Sequence, residues 1–230
     1  MAKQTVLICV LMIALTALAG PLPDNTPIQT TQKTIAIDPG HGGEDFGLVS
    51  SMGLKEKTIV LQLAQKTALL LEDRYNVLLT RSRDITMMPD ERMAIANQNQ
   101  ADLFVTIHLN ASHQSLAFGY YFDTPDPVLS LPDIQDTRWE SLPLHHLSQS
   151  KAAGNAFLSV FSSQKKSIRF LLTGAPIRLL EGTLMPAVLV EPLSISMLPQ
   201  DQNDREKILD QYAVLISKSI DLYFNKSQDN

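Results

Sequence analysis

Residues 34–47 read TIAIDPGHGGEDFG: an apolar run stops in Asp-Pro-Gly, and a histidine follows among three glycines with two acids beside it. The first five residues predict a short buried strand, and the Gly-rich turn predicts a loop that leaves the sheet sharply. Working outward, residues 54–74 carry helical periodicity, with Val60, Leu63, Ala64, Ala68 and Leu71 on one face. Residues 75–80 form a second strand, and 89–100 a helix with Pro89 in its first turn and Met93 and Ala96 facing inward. Residues 102–109 are a third, doubly buried strand. Strands that alternate with helices imply βαβ units and a parallel sheet. Further along, the expectations are a helix at 149–163, strands at 176–180 and 187–191, and a closing helix at 202–223.

The fold class is therefore α/β: a single domain with a mostly parallel twisted central sheet flanked by helices. Residues 118–148 interrupt the rhythm with Pro125, Pro127, Pro132, Pro143 and the single Trp139, and read as an irregular insertion with a short strand at 119–122. Before residue 33 the pattern is different. Lys3 is a short basic start, residues 6–18 are apolar, and Ala17-Leu18-Ala19 fits a small-x-small cleavage site. The expected division is a signal peptide at 1–19, a linker at 20–32, a domain at 33–225 and a tail at 226–230, with export to the periplasm or cell-wall space. The only cysteine, Cys9, lies in the leader, so the mature chain has no disulfides and any metal site must use His and carboxylates. A net charge of −5 and a pI of about 5.5 exclude a nucleic-acid backbone as the main partner.

In an open α/β sheet, functional groups gather beyond the carboxyl ends of the strands. His41 follows the first strand, His108 ends the third in FVTIHLNAS (104–112), and Glu191 ends another in PAVLVEP (186–192). Glu56 opens the first helix, whose N-terminus faces the same rim and favours a carboxylate. Two imidazoles and a carboxylate suit a catalytic zinc, and a further carboxylate can take a proton from water. Glu44 and Asp45 are rival carboxylates for the ion, and Asp38 is a candidate to orient a ligand imidazole. Taken singly, each residue has a plainer reading: a hydrogen-bonded loop histidine, a solvated acid at a helix start, or a Glu191 paired with an Arg such as Arg178. His113, His145 and His146 read as surface residues. Convergence of four groups on one rim favours a site.

Five ordered blocks carry a family resemblance: IAIDPGHGGEDFG (35–47), LKEKTIVLQLA (54–64), LLTRSRD (78–84), ERMAIANQNQADLFVTIHLNAS (91–112) and PAVLVE (186–191). In order and spacing they resemble the zinc-dependent N-acetylmuramoyl-L-alanine amidases, specifically the type-three catalytic domain of bacterial cell-wall amidases, over 33–223. The resemblance implies one Zn²⁺ held by His41, Glu56 and His108, with Glu191 as catalytic acid/base. It also implies hydrolysis of the amide between the lactyl group of N-acetylmuramic acid and the L-alanine of peptidoglycan stem peptides. Asn110 matches a family Asn that supports the turn. The loop after the last Glu departs from the family: it reads Glu191-Pro192-Leu193-Ser194-Ile195-Ser196-Met197, and Pro192 restricts the backbone of Glu191. Residues 130–149, with Leu131, Trp139, Leu142 and Leu147, are expected to cover part of the cleft, as a regulatory helix does in some relatives. Peptidoglycan is the expected partner, an activator protein a further one, and the chain is expected to be a monomer. The competing functions are a zinc exopeptidase on free peptides and a degenerate, non-catalytic peptidoglycan-binding module.

Overall fold

The structure is a computed structural model that describes residues 32–125, 138–164 and 168–227. The leader, most of the linker and residues 126–137 of the insertion lie outside the described residues. Among the described residues no helix is long and apolar enough to cross a membrane.

Among the described residues six strands form one sheet: β1 (Thr34–Pro39), β2 (Asn76–Leu79), β3 (Leu103–Ile107), β4 (Leu116–Phe122), β5 (Arg169–Ala175) and β6 (Ala187–Glu191), in the order β2-β1-β3-β6-β4-β5. Four of the five ladders are parallel, and only β4–β6 is antiparallel. Connection length explains the exception. The chain between β3 and β4 is too short for a helical crossover and must reverse direction, whereas β4 and β5 are joined through a helix and run parallel.

Among the described residues four α-helices cover the sheet: α1 (Glu56–Leu71), α2 (Pro89–Gln98), α3 (Leu147–Ser162) and α4 (Gln202–Ser227). The main core joins α1, α3 and α4 to one sheet face through Ile35, Val60, Leu63, Val105, Phe157, Phe161, Val190 and Ile216, all fully buried. A smaller core lies on the other face, where Ala96 of α2 meets Ala36, Phe104 and Leu180. The buried stripe of α1 follows the expected period, except that Thr67 takes the inward place given to the half-buried Ala68. The Thr67 hydroxyl is satisfied by donating to the Leu63 carbonyl at 2.8 Å. Pro89 begins α2, and the Glu91 carboxylate accepts from the Met88 N–H at 2.7 Å, closing the free helix end.

Three expectations need correction. The strand placed at 176–180 lies earlier, at β5, and Arg178–Leu180 is instead a turn of 3-10 helix. Pro176 has no N–H to give a ladder. The short strand at 119–122 is a seven-residue strand paired on both sides, between β6 and the edge strand β5, so the irregular insertion begins only after it. The closing helix runs on to Ser227, four residues beyond its expected end at 223.

Candidate metal centre

β1, β3 and β6 are neighbours and parallel, so their carboxyl ends meet on one rim. The Gly40 N–H donates to the Ile107 carbonyl at 3.0 Å and the His108 N–H to the Val190 carbonyl at 2.9 Å. These two bonds extend the ladders by one step and bring His41, His108 and Glu191 side by side. Glu56 arrives at the same rim as the first residue of α1, only 2% exposed.

Two glycines make the convergence sterically feasible. A Cβ on Gly40 would lie 2.3–2.8 Å from the His108 ring. At Gly47, with φ +63°, a Cβ would meet both the His41 ring and Glu56 Oε2 at 2.6–2.7 Å. His41 itself adopts φ +59°, which a non-glycine residue holds only when its surroundings enforce it.

That enforcement comes from two buried arginines. Arg92 donates to the carbonyls of Pro39 (2.8 Å) and His41 (2.7 Å) and pairs with Asp38 at 2.9 Å. Arg81 donates to Pro39 O (2.8 Å), Gly40 O (2.7 Å) and Lys57 O (3.0 Å). Every carbonyl of the turn from Pro39 to His41 therefore points into a guanidinium. Asp38 also accepts from Thr80 and Thr106, which leaves its charge fully surrounded by donors. Lys57 closes the loop from the other side, donating to Gly43 O (2.6 Å) and to Asp84 (2.7 Å).

Three donor atoms meet at the centre. His41 Nε2 is 3.1 Å from Glu56 Oε1, His108 Nδ1 is 3.3 Å from the same oxygen, and the two nitrogens are 3.1 Å apart. The imidazole planes cross at 78°. Ligands held about 2.0–2.1 Å from a tetrahedral ion lie about 3.3 Å from one another, so this triangle has the size of one face of such a site. Among the described residues, His41, Glu56 and His108 form the group able to hold a metal. Glu44, His113 and His145 are exposed, and neither they nor His146 belongs to it.

The surroundings fix each donor. His41 Nδ1 lies 2.8 Å from Asp45 Oδ2, so Asp45 orients the imidazole rather than competing for the ion, and Asp38 holds Arg92 rather than a histidine. Both assignments correct the sequence reading. Glu56 accepts from Leu48 N and Leu109 N, each at 2.8 Å. Burial alone would lift its carboxyl, but the contacts with His108 and His41 and the Leu48 N–H outweigh burial and hold it far below the carboxylate range. For His41, burial opposes the charged form, yet Glu56 and Asp45 together raise it above its ordinary value. Among the described residues nothing hydrogen-bonds the buried His108 Nε2, so packing on Gly40 sets that ring's direction.

Glu191 differs from Glu56. It is half-buried, no ion pair reaches it from the described residues, and Arg178 lies elsewhere, beside α2. Burial, reinforced by the nearby Glu56 charge, pushes its carboxyl up to about 7. The loop after it is well anchored: Asn110 N donates to Leu193 O (3.2 Å), Ile195 N to Asn110 O (2.9 Å), and the Ser194 hydroxyl to Ser112 O. Asn110 thus supports the turn, as expected.

The sequence model of the N-acetylmuramoyl-L-alanine amidase family Amidase_3 matches residues 35–221, and the chain belongs to that family. It is 46% identical over 78 residues to the N-acetylmuramoyl-L-alanine amidase AmiC of Neisseria meningitidis serogroup B, a match covering 34% of this chain and 19% of that protein. The chain thus spans about a fifth of that relative's length. Among solved structures, the catalytic domain of the amidase CwlV from Bacillus (Paenibacillus) polymyxa var. colistinus has a TM-score of 0.61 at 26% identity, over 84% of this chain and 99% of that one. The amidase AmiC2 of Nostoc punctiforme shares the fold, with a TM-score of 0.60 at 24% identity, over 84% and 97% of the two chains.

Proposed function

We propose that this chain is a zinc-dependent amidase that cleaves the bond between the lactyl group of N-acetylmuramic acid and the L-alanine of peptidoglycan stem peptides. The observation that carries the reading is the 3.1–3.3 Å donor triangle of His41, Glu56 and His108, inside a chain of the amidase family. Two nitrogens and one oxygen with no sulfur suit zinc in a hydrolytic site. A zinc ion held there supplies a Lewis acid for the scissile carbonyl and for the attacking water.

The protein's own groups divide the remaining work. Glu56, kept ionised by its contacts, contributes negative charge, while Asp45 fixes the tautomer of His41 so that Nε2 is free to bind. Glu191 is the catalytic acid/base. With its carboxyl raised toward neutrality, it accepts a proton from water and returns it to the L-alanine nitrogen, which leaves as an amine. The catalytic unit spans 33–225, and the apolar run at 6–18 supports export to the cell-wall space, where the polymer lies.

Digestion of purified muropeptides tests this. The expected products are free lactyl carboxyl groups and peptides with new L-alanine amino termini, with activity lost to a chelator and restored by zinc. Release of amino acids from free peptides without lactyl cleavage would favour an exopeptidase instead.

A further inference from the structure

A cavity of about 420 Å³ opens on the face of α2, lined by Met88, Asp90, Met93, Trp139, Arg178 and Glu181. Its size suits a small organic group. It begins close to the metal centre: one guanidinium, that of Arg92, binds both the His41 carbonyl (2.7 Å) and the carbonyl of Met87 (3.1 Å), the residue before the cavity wall.

Trp139 is seated there by design of the backbone beneath it. Gly182, at φ +78°, leaves the space that the indole fills, since a Cβ would come within 2.1–2.5 Å of three indole atoms. Asn97 fastens this loop, donating to Gly182 O (2.9 Å) and accepting from Leu184 N (3.1 Å). Although so placed, Trp139 remains 43% exposed. A flat, held indole with open surface offers an apolar platform, and both charged and thioether groups surround it. Arg178 makes no ion pair with a described residue, although Asp90 and Glu181 line the same cavity. The polar groups are thus a donor and two acceptors available to a ligand.

We propose that this cavity is a subsite for the glycan strand and takes a neutral N-acetylated amino sugar next to the one bearing the scissile amide. The proposal rests on the amidase reading above. The C–H face of a pyranose is apolar and matches the indole, while its hydroxyls and acetamide can pair with Arg178, Asp90 and Glu181. An N-acetylated amino sugar bears only hydroxyls and an acetamide and so carries no charge, which fits a wall with charges of both signs rather than one.

Trp139 is the only tryptophan in the chain, so its emission reads occupancy directly. The metal-free full chain is titrated with tetra-N-acetylchitotetraose, a sugar probe with no peptide. The expected result is a saturable blue shift with a Kd on the order of 1 mM, weakened roughly tenfold or more in Arg178→Ala. Arg178 is exposed, so its truncation leaves the core intact. No change in emission up to about 10 mM sugar would overturn the proposal. An equal shift with a sugar-free stem peptide, or an unweakened shift in Arg178→Ala, would do the same. Since the metal-free chain is used, failure here leaves the hydrolysis reading standing, and loss of hydrolysis leaves this titration readable.

Discussion

Replacing Arg92 with Met tests how the histidine turn is held. Arg92 and Asp38 form an ion pair at 2.9 Å with side chains only 5% and 2% exposed. Removing one partner of such a pair leaves a buried, uncompensated charge, which costs about 3–5 kcal/mol. The carbonyls of Pro39, His41 and Met87 also lose a charged donor, but Arg81 still serves Pro39, so these losses do not add in full. The expected destabilisation is about 4 kcal/mol, which for a domain of this size lowers Tm by about 8–16 °C. Urea unfolding of the metal-free chain, followed by circular dichroism, measures it. The double variant Arg92→Met, Asp38→Asn removes both charges and should recover about half of the loss. Freed from the carbonyl grip, His41 should leave its left-handed conformation, and zinc affinity should fall by about 10–100-fold beyond what stability explains. A loss below about 1 kcal/mol with unchanged zinc affinity would refute the reasoning that the guanidinium enforces the turn.

Other perturbations separate the roles of the acids. Glu191→Gln should lower kcat at least a hundredfold while zinc content stays unchanged, read by muropeptide turnover and metal analysis on one preparation. Asp45→Ala should weaken zinc binding by about 10–100-fold, measured by chelator competition, because His41 loses the acceptor that sets its tautomer. Glu191 also gives a pH signature. Its carboxyl stands at about 7 when folded against an ordinary 4.5, so between those values the folded metal-free chain keeps a proton that the unfolded chain has released. Stability should therefore fall as pH rises from about 4.5 to 7, by about 1–2 kcal/mol once solvent screening is allowed for, and Glu191→Gln should flatten that slope in denaturant titrations.

Much of this arrangement was legible in the sequence because strand ends and a helix start are local signals. FVTIH and AVLVE each stop at a functional side chain, TIAID stops three residues before His41, and adjacency of their strands follows from parallel βαβ connections. The supporting shell was harder to read. Arg81 and Arg92 have the composition of surface residues, yet they are 2% and 4% exposed, since their partners are backbone carbonyls that no side-chain pattern announces. The sequence offers Asp38 as a candidate partner for a ligand histidine and Asp45 as a rival carboxylate for the ion, yet Asp45 sits four residues after His41 across a tight glycine turn, within reach of its ring. PIRLL (176–180) is as apolar as a strand, whereas the actual β5, RFLLTGA, carries outward polar residues as an edge strand and so hides its strand signal. The cavity beside Trp139 joins residues 88, 139 and 178, which only the fold brings together.

The most direct measurement is the zinc content of the purified chain by mass spectrometry of the metal, with and without His41→Ala. About one tightly held zinc per folded wild-type chain is expected, falling to a small fraction in the variant while circular dichroism stays native. Equal zinc in both proteins, or a folded and active wild-type chain that holds none, would contradict the site.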